Sequence, residues 1–530
     1  MFNAFLNAVS RRGAVTENGA VSHASTGSAR LDYFAKASTY RDRDLAEVFA
    51  DLGAAWAESP LDTLRVIFYG RLITRQTRGT VETEAVQAGG GNRSEFRRAL
   101  IYLARFRESA LRQNLWLVPL VGTWKDLWHA EVLGELPRDA VYDLIDQGLH
   151  SDYDRQLLAK YLPKVRSKSN TFNDRHRALN AFAYGLMARL GWTPRQYRTF
   201  KSSGRAHAFQ TQMTRGQWAE IAFAKLPGRA LHQLVNHRGR DGQTTLERHG
   251  MVDRYVAWIR EQPVAKFTGY PYELMQAVSP RATLAQRLTV DRQFDGLLEL
   301  ARRDRAITGN VWCALDTSGS MGCGVPGTTA SAYDICVGLG VYFASLNVGG
   351  FRDRVIMFDD VSRVLELRGG FSDKVLQIQR ATTAWGGTNF QSVIDEIVRV
   401  RTTRPEVPVA DFPTTLVVVS DMQFNPAGGN AATNYEVAMA KLAAVGLPRI
   451  RIVWWWVTGR GADFPCTLDD EGVVMIGGFD GAVLGLLLGG PANYSSQDTT
   501  PQSEAPQATP LDAMRPALDQ ELLRMVTYDH

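Results

Sequence analysis

Val311-Trp312-Cys313-Ala314-Leu315-Asp316-Thr317-Ser318-Gly319-Ser320 runs five apolar residues straight into an acid and a hydroxyl-rich loop. An unbroken apolar run of this length reads as a strand buried on both faces, the habit of a parallel sheet. Downstream the pattern repeats: 354–358, 416–420, 450–457 and 473–476 read as strands, and 331–347, 391–401 and 435–445 as helices, with a short apolar helix from Gly481. Such alternation predicts a doubly wound α/β sheet, whose ligands collect at the carboxyl ends of strands. Asp316 follows one strand directly, and Asp421, in Val417-Val418-Val419-Ser420-Asp421-Met422, follows another. With Ser318, Ser320 and Thr388, the last in Gly386-Gly387-Thr388-Asn389, they form a set of oxygen donors from three loops. Oxygen donors suit a hard divalent cation, Mg²⁺ or else Mn²⁺ or Ca²⁺, with a coordination position left for a partner's carboxylate.

Upstream, residues 40–305 carry successive amphipathic segments and almost none of the β-branched alternation of strands, so this half is expected to be helical throughout. Leu179, Phe182, Ala183, Leu186 and Leu190 form one stripe, Gly191 supplies a stop, and Thr193-Pro194 opens the next helix. Asn92 followed by Glu95 is a similar entry signal. The preceding Gly89-Gly90-Gly91 lacks the Lys-Ser/Thr ending of a nucleotide loop and reads as a flexible turn between helices. Many helices with short breaks imply a bundle or a helical-repeat solenoid. The chain thus divides into an N-terminal arm (1–23), a helical module (24–305), the α/β domain (306–488), a Pro-, Ser-, Thr- and Gln-rich disordered linker (489–510) and a C-terminal helix (511–530) on the stripe Leu511, Met514, Leu518, Leu522, Met525.

Charge separates the halves. Residues 1–310 hold 45 Lys and Arg against 31 Asp and Glu, whereas residues 311–530 hold 15 against 24. The surplus is densest over 151–250, with 18 basic and 6 acidic side chains, which is expected of a surface that meets a polyanion. Candidate phosphate contacts are Lys160, Lys164, Arg166 and Lys168, then Arg175, His176 and Arg177, then Arg195, Arg198, Lys201 and Arg205. Tyr197, Phe200 and Phe209 are interleaved at helical spacing, which favours core over base stacking.

Other chemistry is disfavoured. No apolar stretch approaches the ~20 residues of a spanning helix, and mean hydropathy is −0.20. The apolar Met1 to Val9 stretch lacks a basic leader and runs into Arg11-Arg12, so no secretion signal is expected. The four cysteines form no C-x-x-C pair and read as reduced thiols of a cytoplasmic protein. The histidines make no H-E-x-x-H set, and no G-x-S-x-G elbow is present, so the chain is expected not to be an enzyme.

The segments D-T-S-G-S, G-G-T-N and S-D-M-Q-F resemble the metal-ion-dependent adhesion site of von Willebrand factor A domains. That resemblance implies that Ser318 and Ser320 bind the metal directly, and Asp316, Thr388 and Asp421 directly or through water. A basic helical module before such a domain resembles the TROVE-module proteins, the Ro autoantigen and its bacterial relatives, or a related TROVE-like family. The shared landmarks are Asn18-Gly19-Ala20, Leu31-Asp32-Tyr33-Phe34, Gly122-Thr123-Trp124-Lys125-Asp126-Leu127, Leu158-Ala159-Lys160-Tyr161-Leu162-Pro163 and Ser420-Asp421-Met422-Gln423-Phe424. The resemblance implies a ring of HEAT-like helical repeats closed by the adhesion-type domain, usually monomeric. It further implies binding of structured noncoding Y RNA on the outside and single-stranded RNA ends in the hole. Lys125 joins the RNA candidates through its match in the K-D-L motif, although Trp124 precedes it where the resemblance leads one to expect a basic residue or His. A ribonuclease is one protein partner that the resemblance suggests for the metal site. The rival readings are a metal-dependent protein scaffold and a chelatase-like partner of a motor ATPase, both without RNA.

Overall fold

Val311–Asp316 is a strand with every residue buried, as its apolar run requires. The computed structural model describes residues 13–73, 75–78, 81–204, 208–304, 310–382, 386–428, 432–459, 463–484 and 509–529. They fall into two compact units, Met1–Tyr40 with Ala222–Ala517, and Arg41–Ile221 with Leu518–His530. This division does not follow the composition change at residue 305. The expected linker lies outside the described residues as far as 508.

The first unit, called here the sheet unit, is organised by six strands. In chain order they are β5 (Val311–Asp316), β6 (Arg354–Phe358), β7 (Ser362–Glu366), β8 (Thr415–Ser420), β9 (Arg451–Trp456) and β10 (Val473–Gly477), with spatial order β10-β9-β8-β5-β6-β7. All neighbouring pairs are parallel except β6 with the edge strand β7. The sequence reading missed β7, whose solvent-facing residues carry no continuous apolar signal. The chain leaves β5 for β6 on one side, while β8 lies on the other side, which makes the carboxyl end of β5 a topological switch point.

Helix Ala332–Leu346 starts at Ser331 in a capping box with Asp334 and buries nearly its whole length. At Gly338 a Cβ would stand 2.7 Å from the Tyr272 nitrogen, so glycine is what lets helix Pro271–Met275 approach that closely. Helix Leu284–Asp304 belongs to this unit as well: Phe294 stacks on Phe371 with ring centroids 4.2 Å apart, and Asp291 Oδ1 accepts from the Ser372 N–H at 2.8 Å. Near the N-terminus, β1 (Gly13–Val15) and β2 (Val21–His23) make a short antiparallel hairpin, and His23 exchanges backbone hydrogen bonds with Phe464.

The second unit is mainly helical. Asn92 caps helix Arg93–Phe106 through the Glu95 N–H; Gly191 ends helix Asp174–Leu190 at φ +65°; Thr193 and Gln196 form a capping box on helix Pro194–Ser203. The expectation of helix throughout fails at β3 (Arg75–Arg78) and β4 (Val81–Gln87), an antiparallel hairpin. Val-Glu-Thr-Glu-Ala-Val alternates as a strand should, but its glutamates and alanine are also helix formers, which hides the period. Gly89-Gly90-Gly91 follows this hairpin and is no flexible joint between helices. The Gly90 and Gly91 N–H groups donate to Tyr69 O and Leu72 O at 3.0 Å, and Leu72 Cβ would be 2.7 Å from any Cβ at Gly89. Residues 518–530 complete the unit. Gln520 exchanges two 2.8 Å bonds with the Ala88 backbone, Asn114 bonds both ways with Thr527, and Tyr528 meets Trp56 edge-on. The expected stripe breaks because helix Pro510–Leu518 stops and Glu521–Arg524 restarts, which turns Met525 outward and buries Leu523 and Val526 instead.

Candidate functional site

Two adjacent parallel strands, β5 and β8, deliver Asp316 and Asp421 to the same end of the sheet. Ser420 Oγ donates to Asp316 Oδ2 at 2.5 Å, and the Ser318 N–H donates to Asp316 Oδ1 at 2.9 Å. The third loop is tied in by backbone: the Gly319 N–H donates to Gly386 O at 3.0 Å and the Asn425 N–H to Thr388 O at 2.9 Å. Ser318 Oγ and Ser320 Oγ lie 3.2 Å apart. All five sequence-predicted donors therefore belong to three loops joined by hydrogen bonds. Asp316 and Asp421 are fully buried, Ser318 and Thr388 are 1% exposed, and Ser320 is half-buried.

Burial, and next the charge of Asp421, push Asp316 up to about 7. Two buried carboxylates in one loop cluster resist joint ionisation unless a cation enters. Among the described residues no three His, Cys, Asp or Glu side chains gather into a metal-ligand group. What this cluster could offer an ion is two carboxylates and three hydroxyls. Immediately after Asp421, Met422 has φ +66°, a left-handed conformation uncommon for a non-glycine residue. Such departures concentrate where a loop is held for function.

The basic candidates lie in the helical unit. Lys125, Lys160, Lys164, Arg166, Lys168, Arg175, Arg177, Arg195 and Arg198 are exposed, and Arg205 lies outside the described residues. Lys125 Nζ and Lys160 Nζ stand 4.8 and 5.2 Å from the centroid of the Tyr161 ring, so residues 35 apart in sequence come together around one half-buried aromatic. Lys201 Nζ donates to Ala159 O at 2.8 Å and Lys160 O at 3.1 Å, so this amine neutralises the end of helix Asp152–Tyr161. Arg177 pairs with Asp174, and His176 closes a capping box with Asn173. Tyr197 is core, its hydroxyl donating to Pro163 O at 2.7 Å. Trp124 is buried too, its indole N–H donating to Asp154 at 3.1 Å.

Sequence reasoning named Tyr161, Gln423 and Asn18 only as landmarks of the resemblance and gave none of them a place beside these sites. Asn18 Nδ2 donates to Thr388 Oγ1 at 3.3 Å and to Gln423 O at 2.5 Å. Asn-Gly announces a turn, but no local pattern says that the turn rests on a loop 370 positions away.

Residues 311–518 match the model of a domain of unknown function, DUF7788, and residues 16–144 match that of another, DUF2828. An uncharacterized protein of Acanthamoeba polyphaga mimivirus, L728, is 24% identical over 508 residues, 88% of this chain and 83% of its own length. The crystal structure of the Ro (RSR) protein of Deinococcus radiodurans aligns with 14% identity and a TM-score of 0.40, covering 74% of this chain and 86% of that one.

Proposed function

We propose that this chain is a noncatalytic, cytoplasmic RNA-binding protein, and that its sheet unit carries a von Willebrand factor A-type metal site for docking a protein partner. The observation that carries the RNA reading is the meeting of Lys125 and Lys160 at Tyr161. Two amines gathered over one half-buried ring suit a backbone phosphate, which both can contact at once. Lys164, Arg166, Lys168, Arg175, Arg195 and Arg198 continue the cationic surface, and among the described residues none of them makes an ion pair with a carboxylate. Their charge is therefore available to a polyanion.

Phosphate contacts release counterions, so binding of a small structured RNA must weaken steeply with salt. The test is affinity for a mixed RNA pool at 50 and 500 mM salt, ~10⁴-fold or more apart for six contacts by the counterion slope. Equal binding at both salts removes the reading. Sequencing RNA that copurifies with the protein then identifies the ligand class, Y RNA-like or otherwise.

In the sheet unit, Asp316, Ser318, Ser320, Thr388 and Asp421 would hold Mg²⁺. The fit lies in an all-oxygen donor set around a buried carboxylate that makes no ion pair among the described residues. Bound there, the ion supplies positive charge to an incoming carboxylate, such as one from a ribonuclease. Chelation with EDTA is expected to release that partner and leave RNA bound.

A further inference from the structure

The turn between β1 and β2 is bonded to two of the loops that make the metal site. Thr16 Oγ1 donates to Phe424 O at 2.7 Å, the Glu17 N–H to Gln423 Oε1 at 2.6 Å, and Asn18 Nδ2 to both Gln423 O and Thr388 Oγ1. Within the turn the Gly19 N–H donates to Thr16 O at 2.9 Å, and Gly19 holds φ +88°, which favours glycine. Asn18 itself is exposed, whereas the Thr388 hydroxyl that it meets belongs to a buried residue. The carboxamide therefore stands between that donor and solvent.

The paired strands behind the turn are three residues each. A hairpin this short does not hold itself together in water and depends on what it is anchored to. Its far end is anchored at Phe464, and its tip at the loop after Asp421. At the tip the Thr16 bond to Phe424 O is buried and serves as a fixed pivot, whereas the bonds from the Glu17 N–H and from Asn18 Nδ2 are only partly buried, and water or a competing acceptor can replace them.

We infer that the Thr16–Ala20 turn is a strap over the mouth of the metal site, an internal occupant that a partner's carboxylate must lift to reach the cation. The inference rests on the metal reading above. It adds regulation to that site: in the free chain the docking position is covered, and a partner needs both an acid for the ion and contacts that release Asn18. Glu17 is exposed on the same turn and helps burial to push Asp463 up, which places another negative charge near the strap.

The test uses the full chain with Mn²⁺ alone as the metal and glutarate as the carboxylate, both followed by water-proton relaxation. Asn18→Ala removes both donations from the carboxamide, and Asn18→Gly keeps a turn-forming residue while losing the donor and adding no charge, in case the alanine variant folds poorly. The expected result is Mn²⁺ affinity within threefold of wild type, glutarate binding to the Mn²⁺-loaded protein at least tenfold tighter in both variants, and faster amide exchange at Glu17. Glutarate binding within twofold of wild type, with Mn²⁺ bound normally, overturns the strap and leaves the metal reading standing. No Mn²⁺ binding by wild type beyond that of Asp316→Ala overturns the metal reading, and the strap with it.

Discussion

Each unit buries a polar cluster around an aspartate, Asp126 in one and Asp316 in the other, and these two are charged in opposite ways. In the helical unit Asp126 accepts from Arg71 at 2.8 and 3.0 Å, from Arg97 at 3.0 and 3.2 Å, and from the Thr123 backbone at 3.1 Å. Burial alone would raise its pKa, but the two guanidiniums outweigh burial and hold the carboxyl below the ordinary range. In the sheet unit Asp316 faces a second carboxylate, with hydroxyl and amide donors as its partners, and is pushed up instead. A buried acid matched by its own chain's cations is finished as structure. One that faces another acid is finished only by something from outside.

That contrast predicts that mutations in the two clusters differ in kind. The largest effect is expected at Asp126→Ala, which removes the Asp126 carboxylate from the fully buried Arg71 and from Arg97. A loss of about 3–5 kcal/mol in urea unfolding is the scale for breaking such a pair, and it should not depend on divalent ions. Next comes Asp316→Asn. In wild type, Mg²⁺ at a hundred times its Kd adds about 2.7 kcal/mol to stability, read as a higher Tm than in EDTA, and the variant should lose that increment. If Asp126→Ala instead responds to Mg²⁺ and Asp316→Asn does not, the contrast is reversed.

Smaller effects sharpen it. Ser331→Ala removes the cap of a helix packed against β5 and should cost about 1 kcal/mol in thermal unfolding, with the Mg²⁺ increment retained. Lys125→Ala and Lys160→Ala should leave unfolding within about 0.5 kcal/mol while each lowers the salt slope of RNA binding by about 1. A double variant with an unchanged salt slope would show that the Tyr161 cluster does not face phosphate.

The parallel strands and the loops that carry the five candidate donors were legible because buried parallel strands are written as continuous apolar runs, and the acids follow those runs directly. Thr415–Ser420 and Arg451–Trp456 start and end within one residue of where apolarity places them. Caps carried equal information: Asn92, Gly191 and Thr193 each act where their side chain or backbone chemistry says. What stayed hidden depends on partners far away in sequence. The Arg75–Arg78 and Val81–Gln87 hairpin is mixed in its local preference and is settled by packing. Lys201 reads as one more surface cation, and only the fold shows its amine spent on the carbonyls of Ala159 and Lys160. Asn18 enters the sequence reading only as a landmark of the resemblance, and its contact with Thr388 appears in the fold alone.

The contribution of residues 518–530 to the helical unit has a consequence for synthesis. Residues 41–221 emerge from the ribosome early, but the Ala88 backbone, Asn114 and Trp56 receive Gln520, Thr527 and Tyr528 only after nearly three hundred intervening residues have been made. Closing so long a loop is slow, and the early helices meanwhile expose the surfaces that Leu522 and Leu523 later cover. A chain cut short before residue 518 would carry every basic residue of the proposed RNA surface on a unit still missing its last segment. Product that includes residues 518–530 would thereby be distinguished from product cut short before them by stability rather than by charge.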